Sequence, residues 1–341
     1  MPSKKIIAVV AATGNQGSSV AETFLATPGW HVRCLTRDPA SPKASELASI
    51  GAEVVQADLA DPASLSRAFQ GAHAIFVNTD FWRPYLAALG VSSYEEAWKA
   101  SASDASDEAR KTGFDTEVLH GRNAADAAAA VPTLERFIYS ALPSMKAASG
   151  GKYPHCLHWE GKAAIVDYIL RSDTEPLRSL ASKTSLLYLG AYNTNAFLMP
   201  RPSANRPGEY SLMVPCGRDT RLPIVDPVRS TGPFVRALVE HEEPGTKLFA
   251  YDRDSDLTIG EAMDVWCRVT GKKSTLVEVT EEEMHGLTGL PYEVLDGPAH
   301  IGEFGYMAGV EGVIEPGQLR VPVETRSYEE FLRERPVEEL L

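Results

Sequence analysis

A glycine-rich run, Ala11-Ala12-Thr13-Gly14-Asn15-Gln16-Gly17, follows directly on an apolar segment near the start of the chain. The spacing of Ala11, Gly14 and Gly17 is that of a turn that cradles phosphate. Glycine at 14 lets the backbone approach a pyrophosphate, glycine at 17 lets the following helix pack close, and the helix N-terminus offers unpaired N–H groups. Alanine stands where such turns carry their first glycine. Twenty residues beyond Gly17 comes Arg37, with Lys43 close behind. A basic residue at the end of the second strand of such a unit meets a ribose phosphate, whereas an acid there would accept from the ribose hydroxyl. The guanidinium fork can engage two phosphate oxygens at once. These residues predict NADP(H), with Ala12, Thr13, Gly14, Asn15, Gln16 and Gly17 along the phosphates and Arg37 and Lys43 at the adenosine ribose. The competing readings are that Arg37 is an ordinary solvated strand-end residue, and that Asp38, one place past the usual acidic position, favours NAD(H).

Further candidates follow from the rule that ligands of parallel sheets bind at the carboxyl ends of the strands. Asp58 and Leu59 are expected beside the adenine, Asn78 and Thr79 beside the ribose or diphosphate, and Tyr192, Asn193 and Asn195 at the nicotinamide end or a substrate. Asp58 is equally a helix cap. His155 and His158 have an HxxH spacing, but a metal site wants three or four ligands with an orienting second shell, and no acidic or cysteine partner is visible. No metal is expected. Cys34, Cys156, Cys216 and Cys267 form no CxxC pair and read as reduced thiols.

Positioning strand ends in this way requires repeated β-α units, and the first 190 residues supply them. Strands are expected at Ile6–Ala12, Trp30–Thr36, Glu53–Ala57, Ala74–Asn78, Arg136–Tyr139 and Thr184–Leu189, nearly continuous in hydrophobicity as strands buried on both faces are. Helices are expected at Gly17–Ala26, Pro42–Ser49, Pro62–Phe69, Thr116–Ala130 and His158–Arg171. The fold class is therefore α/β, a doubly wound parallel sheet of Rossmann type spanning 1–190. Residues 191–341 are expected to form a smaller α+β lobe, partly interleaved with the sheet edge, with helices at Asp226–Glu240, Thr258–Thr270 and Thr280–Leu290. The 37 residues Thr79–Asp115 break the rhythm and carry Trp82, Tyr85, Tyr94 and Trp98. A stretch this long is a lid or binding loop, or else a surface helix around Tyr94–Ser101.

A formal net charge of −13 without a Lys/Arg cluster argues against direct nucleic-acid binding. No apolar run approaches the ~20 residues of a membrane helix, and the N-terminus runs into a strand without a signal peptide. A cytoplasmic, or also nuclear, protein is expected, with a homodimer left open.

Taken together, Ala12–Gly17 (ATGNQG), Leu35–Arg37 (LTR), Gly51–Asp58 (GAEVVQAD), Phe137–Ser140 (FIYS) and His158–Lys162 (HWEGK) resemble NmrA-like proteins, an atypical branch of the short-chain dehydrogenase/reductase superfamily. The resemblance continues through Tyr192–Asn195 and covers nearly the whole chain apart from Thr79–Asp115. It implies NADP(H) bound in an extended conformation, a C-terminal substrate or partner lobe, and a family of both reductases and redox-sensing regulators. A reductase of this superfamily uses a tyrosine acid and a lysine four residues later. Here the lysine is Lys162 and the tyrosine position is His158. Helical spacing puts both on one face, so His158 can serve as the acid near neutral pH or simply face the cofactor. Related reductases use the lysine alone. Ser140 fits the carbonyl-binding hydroxyl or a strand-end turn, and Tyr139 and Tyr153 are substitute acids or packing residues. The leading expectation is an oxidoreductase of a small, aromatic or polyketide-type molecule. The alternative is a non-catalytic NADP(H) sensor acting through a protein partner.

Overall fold

The apolar runs form β1 (Lys5–Val9), β2 (Trp30–Thr36), β3 (Glu53–Gln56), β4 (Ala74–Val77), β5 (Arg136–Ala141) and β6 (Thr184–Leu189). The structure is a computed structural model that describes residues 4–93, 96–97, 105–203 and 206–340. The strands lie in the order β3-β2-β1-β4-β5-β6, all parallel, and Lys247–Ala250 and Val313–Ile314 extend the sheet beyond β6. Strand order reverses between β1 and β4, which opens a crevice at their carboxyl ends.

Alternation along each strand feeds two cores. Ile7 and Val9 of β1 pack with Val20 and Phe24 of α1 (Asn15–Leu25) and Leu47 of α2 (Pro42–Ser49). Ala8 and Val10 pack instead with Leu65 and Phe69 of α3 (Pro62–Phe69), Ala124 and Ala128 of the Ala105–Ala129 helix, and Ile165 of the Leu157–Leu170 helix. Apolar side chains on both faces explain the unbroken hydrophobic runs. The Thr231–Glu240 helix joins α1 on its face, and Gly232 is what lets it approach: an added Cβ would sit 2.1 Å from the Ser19 carbonyl oxygen.

Residues beyond 190 therefore supply two strands and one covering helix, and the sheet is not confined to 1–190. The rest of that region holds a three-stranded sheet of Arg201–Pro202, Tyr210–Val214 and Ser274–Glu278 and the helices Ile259–Thr270, Glu281–Thr288 and Tyr292–Phe304. The Tyr292–Phe304 helix was not expected, because Gly297 and Pro298 inside it break the apolar period.

The described residues of the Thr79–Asp115 stretch are largely helical. A helix at Trp82–Leu89 ends on Gly90 at φ 70°, and the helix expected from Thr116 already starts at Ala105 and runs to Ala129. Phe81, Tyr85, Ala97 and Ala109 make a small apolar cluster of their own, with Trp82, Phe114 and Leu157 against it. Of the helix expected at Tyr94–Ser101, only Glu96 and Ala97 lie within the described residues. Among the described residues no helix is long and apolar enough to cross a membrane.

Candidate functional site

At the end of β1 the chain turns through Ala11, which adopts φ 52°, a conformation that suits the glycine it replaces. The turn closes with Gly14 N–H donating to Ala11 O at 2.9 Å. A Cβ on Gly17 would lie 2.2 Å from the same oxygen, so only glycine lets α1 start so close to the turn. Gly14 caps α1 without a side-chain hydrogen bond, and no acidic residue occupies the first turn. The result is a bare, electropositive helix end facing the crevice. Gln16 Nε2 donates to the Tyr192 hydroxyl at 2.7 Å, while buried Gln16 Oε1 and Asn193 Nδ2 have no hydrogen-bond partner among the described residues. Bare amides, a cradle that a Cβ would fill and two orphaned polar atoms fit a phosphate-bearing dinucleotide with polar groups at its far end.

The strand-two end separates the two basic candidates. Arg37 is exposed and, among the described residues, forms no ion pair. Lys43 is engaged by Glu46 at 3.1 Å and Glu22 at 3.4 Å. Asp38 Oδ1 accepts from Ala40 N–H at 2.9 Å and serves a local turn. Asp58 does the same for Ala60 N–H at 2.9 Å, and the Leu59 carbonyl accepts from Asn123 Nδ2 at 2.8 Å. His120 lies close to Arg37 and Asp58, and burial lowers its pKa. Asn195 Oδ1 accepts from Phe197 N–H at 3.0 Å and so caps a short helix.

At the end of β4, Lys162 Nζ donates to Thr79 O at 2.9 Å, Thr79 Oγ1 at 3.1 Å and Glu117 Oε1 at 2.9 Å, and lies 3.4 Å from Asn78 Oδ1. Thr79 Oγ1 also donates to Glu117 Oε1 at 2.8 Å and meets the Tyr139 hydroxyl at 3.0 Å. Tyr139 is wholly buried, and desolvation raises its pKa well above the ordinary value, which withdraws it as a proton donor. Gly161 makes room for the carboxylate: its added Cβ would stand 2.6 Å from Glu117 Oε2. Ser140 follows Ile138 onto the α1 side of β5, opposite Tyr139 and the Leu157–Leu170 helix. Among the described residues no hydrogen bond joins it to Lys162 or His158.

One turn before Lys162, His158 Nδ1 lies 2.6 Å from Glu293 Oε1. Cys156 Sγ is 3.6 Å from the same nitrogen. The expectation that the HxxH histidines lack acidic and cysteine company is therefore corrected, since Cys156, His158 and Glu293 offer ligand atoms all within 4.8 Å of one another. The 2.6 Å contact is a hydrogen-bond distance, shorter than the roughly 3.3 Å that two ligands of one tetrahedral zinc keep. His155 is separately bonded to Asp296 at 3.2 Å, which raises its pKa, and Tyr153 donates to Glu303 at 2.8 Å. Burial pushes the Cys156 thiol up, against a nucleophilic role. Glu117 and Glu293, which hold Lys162 and His158, were invisible to sequence reasoning because each is remote in the chain and sits in no motif.

The model of the NmrA-like family matches residues 3–332. The chain belongs to the NmrA-like family. Among curated members, the NmrA-like oxidoreductase FrzB of Cladobotryum sp is 37% identical over 147 residues, 43% of this chain and 37% of its own length. The match thus spans little more than a third of that relative. Among solved structures, NmrA, a negative transcriptional regulator in complex with NADP, superposes with a TM-score of 0.65 at 21% identity, covering 99% of this chain and 97% of that one. The NADPH-dependent quinone oxidoreductase QOR2 of Escherichia coli, complexed with NADPH, gives 0.66 at 20%, covering 96% and 99%. Both share the overall fold, Rossmann-type sheet included, with this NmrA-like chain over nearly its whole length.

Proposed function

We propose that this chain is an NADP(H)-dependent oxidoreductase that transfers hydride to or from a small aromatic carbonyl or quinone-type molecule. The observation that carries the reading is Lys162, fixed at the end of β4 by Thr79 and buried Glu117, on the crevice that begins at the bare end of α1. Gly14, Gly17 and the first-turn amides of α1 would hold the pyrophosphate, and Arg37 the ribose phosphate. Asn78, Thr79 and Lys162 line the path to the nicotinamide end, where Tyr192 and Asn193 close the crevice. When bound, the nicotinamide supplies or accepts the hydride. The protein orients it, excludes water with the Phe81–Trp82 arm and handles the proton. The complexes of NmrA with NADP and of QOR2 with NADPH support the choice of cofactor.

A second reading, a dinucleotide-responsive regulator that binds a protein partner, draws support from histidine at position 158 and from NmrA itself being a regulator. Following NADPH absorbance with benzaldehyde and phenanthrenequinone separates the two. The enzyme reading expects turnover by the wild type and a loss of about a hundredfold or more in Lys162→Ala. No wild-type turnover, together with cofactor-dependent capture of a partner, would establish the regulator instead.

A further inference from the structure

Glu293 reaches His158 from 135 residues away, out of the Tyr292–Phe304 helix, and its side chain is wholly buried. Three contacts fix it. Leu157 N–H donates to Oε2 at 3.0 Å, His158 N–H donates to Oε1 at 2.9 Å, and His158 Nδ1 lies 2.6 Å from Oε1. The imidazole keeps 19% of its side-chain surface exposed, and the Trp82 and Phe81 rings stand 4.8 Å and 5.9 Å from it. We propose that His158 and Glu293 form a carboxylate–imidazole pair that carries the proton in the reaction, with Glu293 as its positioning residue and an aromatic carbonyl compound as its substrate. This rests on the reading of the chain as an oxidoreductase.

A buried carboxylate survives only when it is paired, and here two amides from the start of a helix and one imidazole pair it. A carboxylate held in that way accepts Nδ1–H and so fixes the imidazole tautomer, leaving Nε2, whose nearest protein sulfur is Cys156 Sγ at 3.8 Å, for the substrate. Lys162 is less suited to the task, because Nζ already lies within hydrogen-bond reach of Thr79 O, Thr79 Oγ1, Glu117 Oε1 and Asn78 Oδ1. In reduction a bound reduced nicotinamide would supply the hydride to the carbonyl carbon. The C=O π pair moves to oxygen, and that oxygen takes the proton from Nε2 of the imidazolium. The product is an alcohol, and His158 is left neutral with Nδ1–H on Glu293. In oxidation Nε2 would take the hydroxyl proton, and a bound oxidised nicotinamide would accept the hydride from the carbinol carbon. The rings of Phe81 and Trp82 beside the imidazole favour a flat aromatic group on the substrate.

The test compares wild type, H158Q, E293Q, E293D and the H158Q/E293Q double variant, with benzaldehyde as the probe and the melting temperature and NADPH Kd of each recorded. H158Q is expected to lower kcat about a hundredfold and leave the NADPH Kd within about twofold. E293Q should lower kcat about tenfold or more with KM little changed, E293D should recover part of it, and the double variant should be no slower than H158Q. A purely structural Glu293 would slow the double variant further, and that result overturns the pair. If E293Q does not fold, nitrogen NMR of the wild-type histidines decides: Nδ1–H on neutral His158 supports the pair, and Nε2–H overturns it. Wild-type turnover that H158Q keeps within about threefold overturns the pair alone. Absence of wild-type turnover overturns the oxidoreductase reading and the pair with it.

Discussion

Glu117 Oε1 lies 2.9 Å from Lys162 Nζ, with Glu117 wholly buried and the Lys162 side chain only 13% exposed. Removing one member of a buried ion pair leaves a charge without compensation, which typically costs ~3–5 kcal/mol. Glu117→Ala is therefore expected to lose stability on that scale, measured by urea denaturation. Glu117→Gln, which keeps the shape and an acceptor, should lose less stability but still weaken NADPH turnover by loosening Lys162. Unchanged stability in Glu117→Ala would show that the pair contributes nothing.

Two glycine substitutions should act in opposite directions. In Gly17→Ala the new Cβ meets backbone at 2.2 Å, so the turn must open and NADPH affinity should fall by at least about tenfold, read by fluorescence titration. Gly286, exposed in the Glu281–Thr288 helix, has nothing within 4 Å of its Cβ position. Gly286→Ala should add ~0.5–1 kcal/mol, since alanine is the better helix former.

The basic residues at the second strand also divide. Arg37→Ala should weaken NADPH binding about tenfold or more and leave NADH binding nearly unchanged, as expected for a lost charge-assisted phosphate contact. Lys43→Ala should change neither by more than about twofold, because Glu46 and Glu22 already occupy Lys43. Parallel titrations with both dinucleotides check this.

Asp252 is 4% exposed, and burial raises its carboxyl from 3.8 to about 7. A carboxyl with a raised folded-state pKa stabilises the fold below its unfolded value, and that contribution is lost as pH rises through about 7. Between pH 5 and 8 the wild type should lose on the order of 3 kcal/mol from this group, at ~1.4 kcal/mol per pH unit. Asp252→Asn keeps an acceptor for Asp226 N–H but cannot ionise, so its stability should be flatter over that window. Urea unfolding at both pH values gives the comparison, and parallel pH dependence in the two proteins would reject the assignment.

Much of the fold was legible because its signals are local. Short segments rich in apolar residues and bounded by turn residues gave β2 and β6 at their observed limits, and Asp61 before Pro62 marked the start of α3. Where the local signal was weak the reading failed. Val313–Ile314 is too short to show a period, and Pro298 hides the helix that carries Glu293. The Ala105–Ala129 helix begins earlier than its local sequence signals, because its first turns are largely polar and carry Gly113, and their helical state depends on packing around Phe81.

The sequence by itself determined the parallel sheet, the glycine-rich turn and the pairing of His158 with Lys162 on one helix face. All three depend on periods of two or four residues and on the special freedom of glycine. Only the tertiary structure decided which partners those side chains keep. Glu117 lies 45 residues from Lys162 and Glu293 lies 135 from His158, and a buried carboxylate is selected by desolvation and close packing rather than by spacing along the chain.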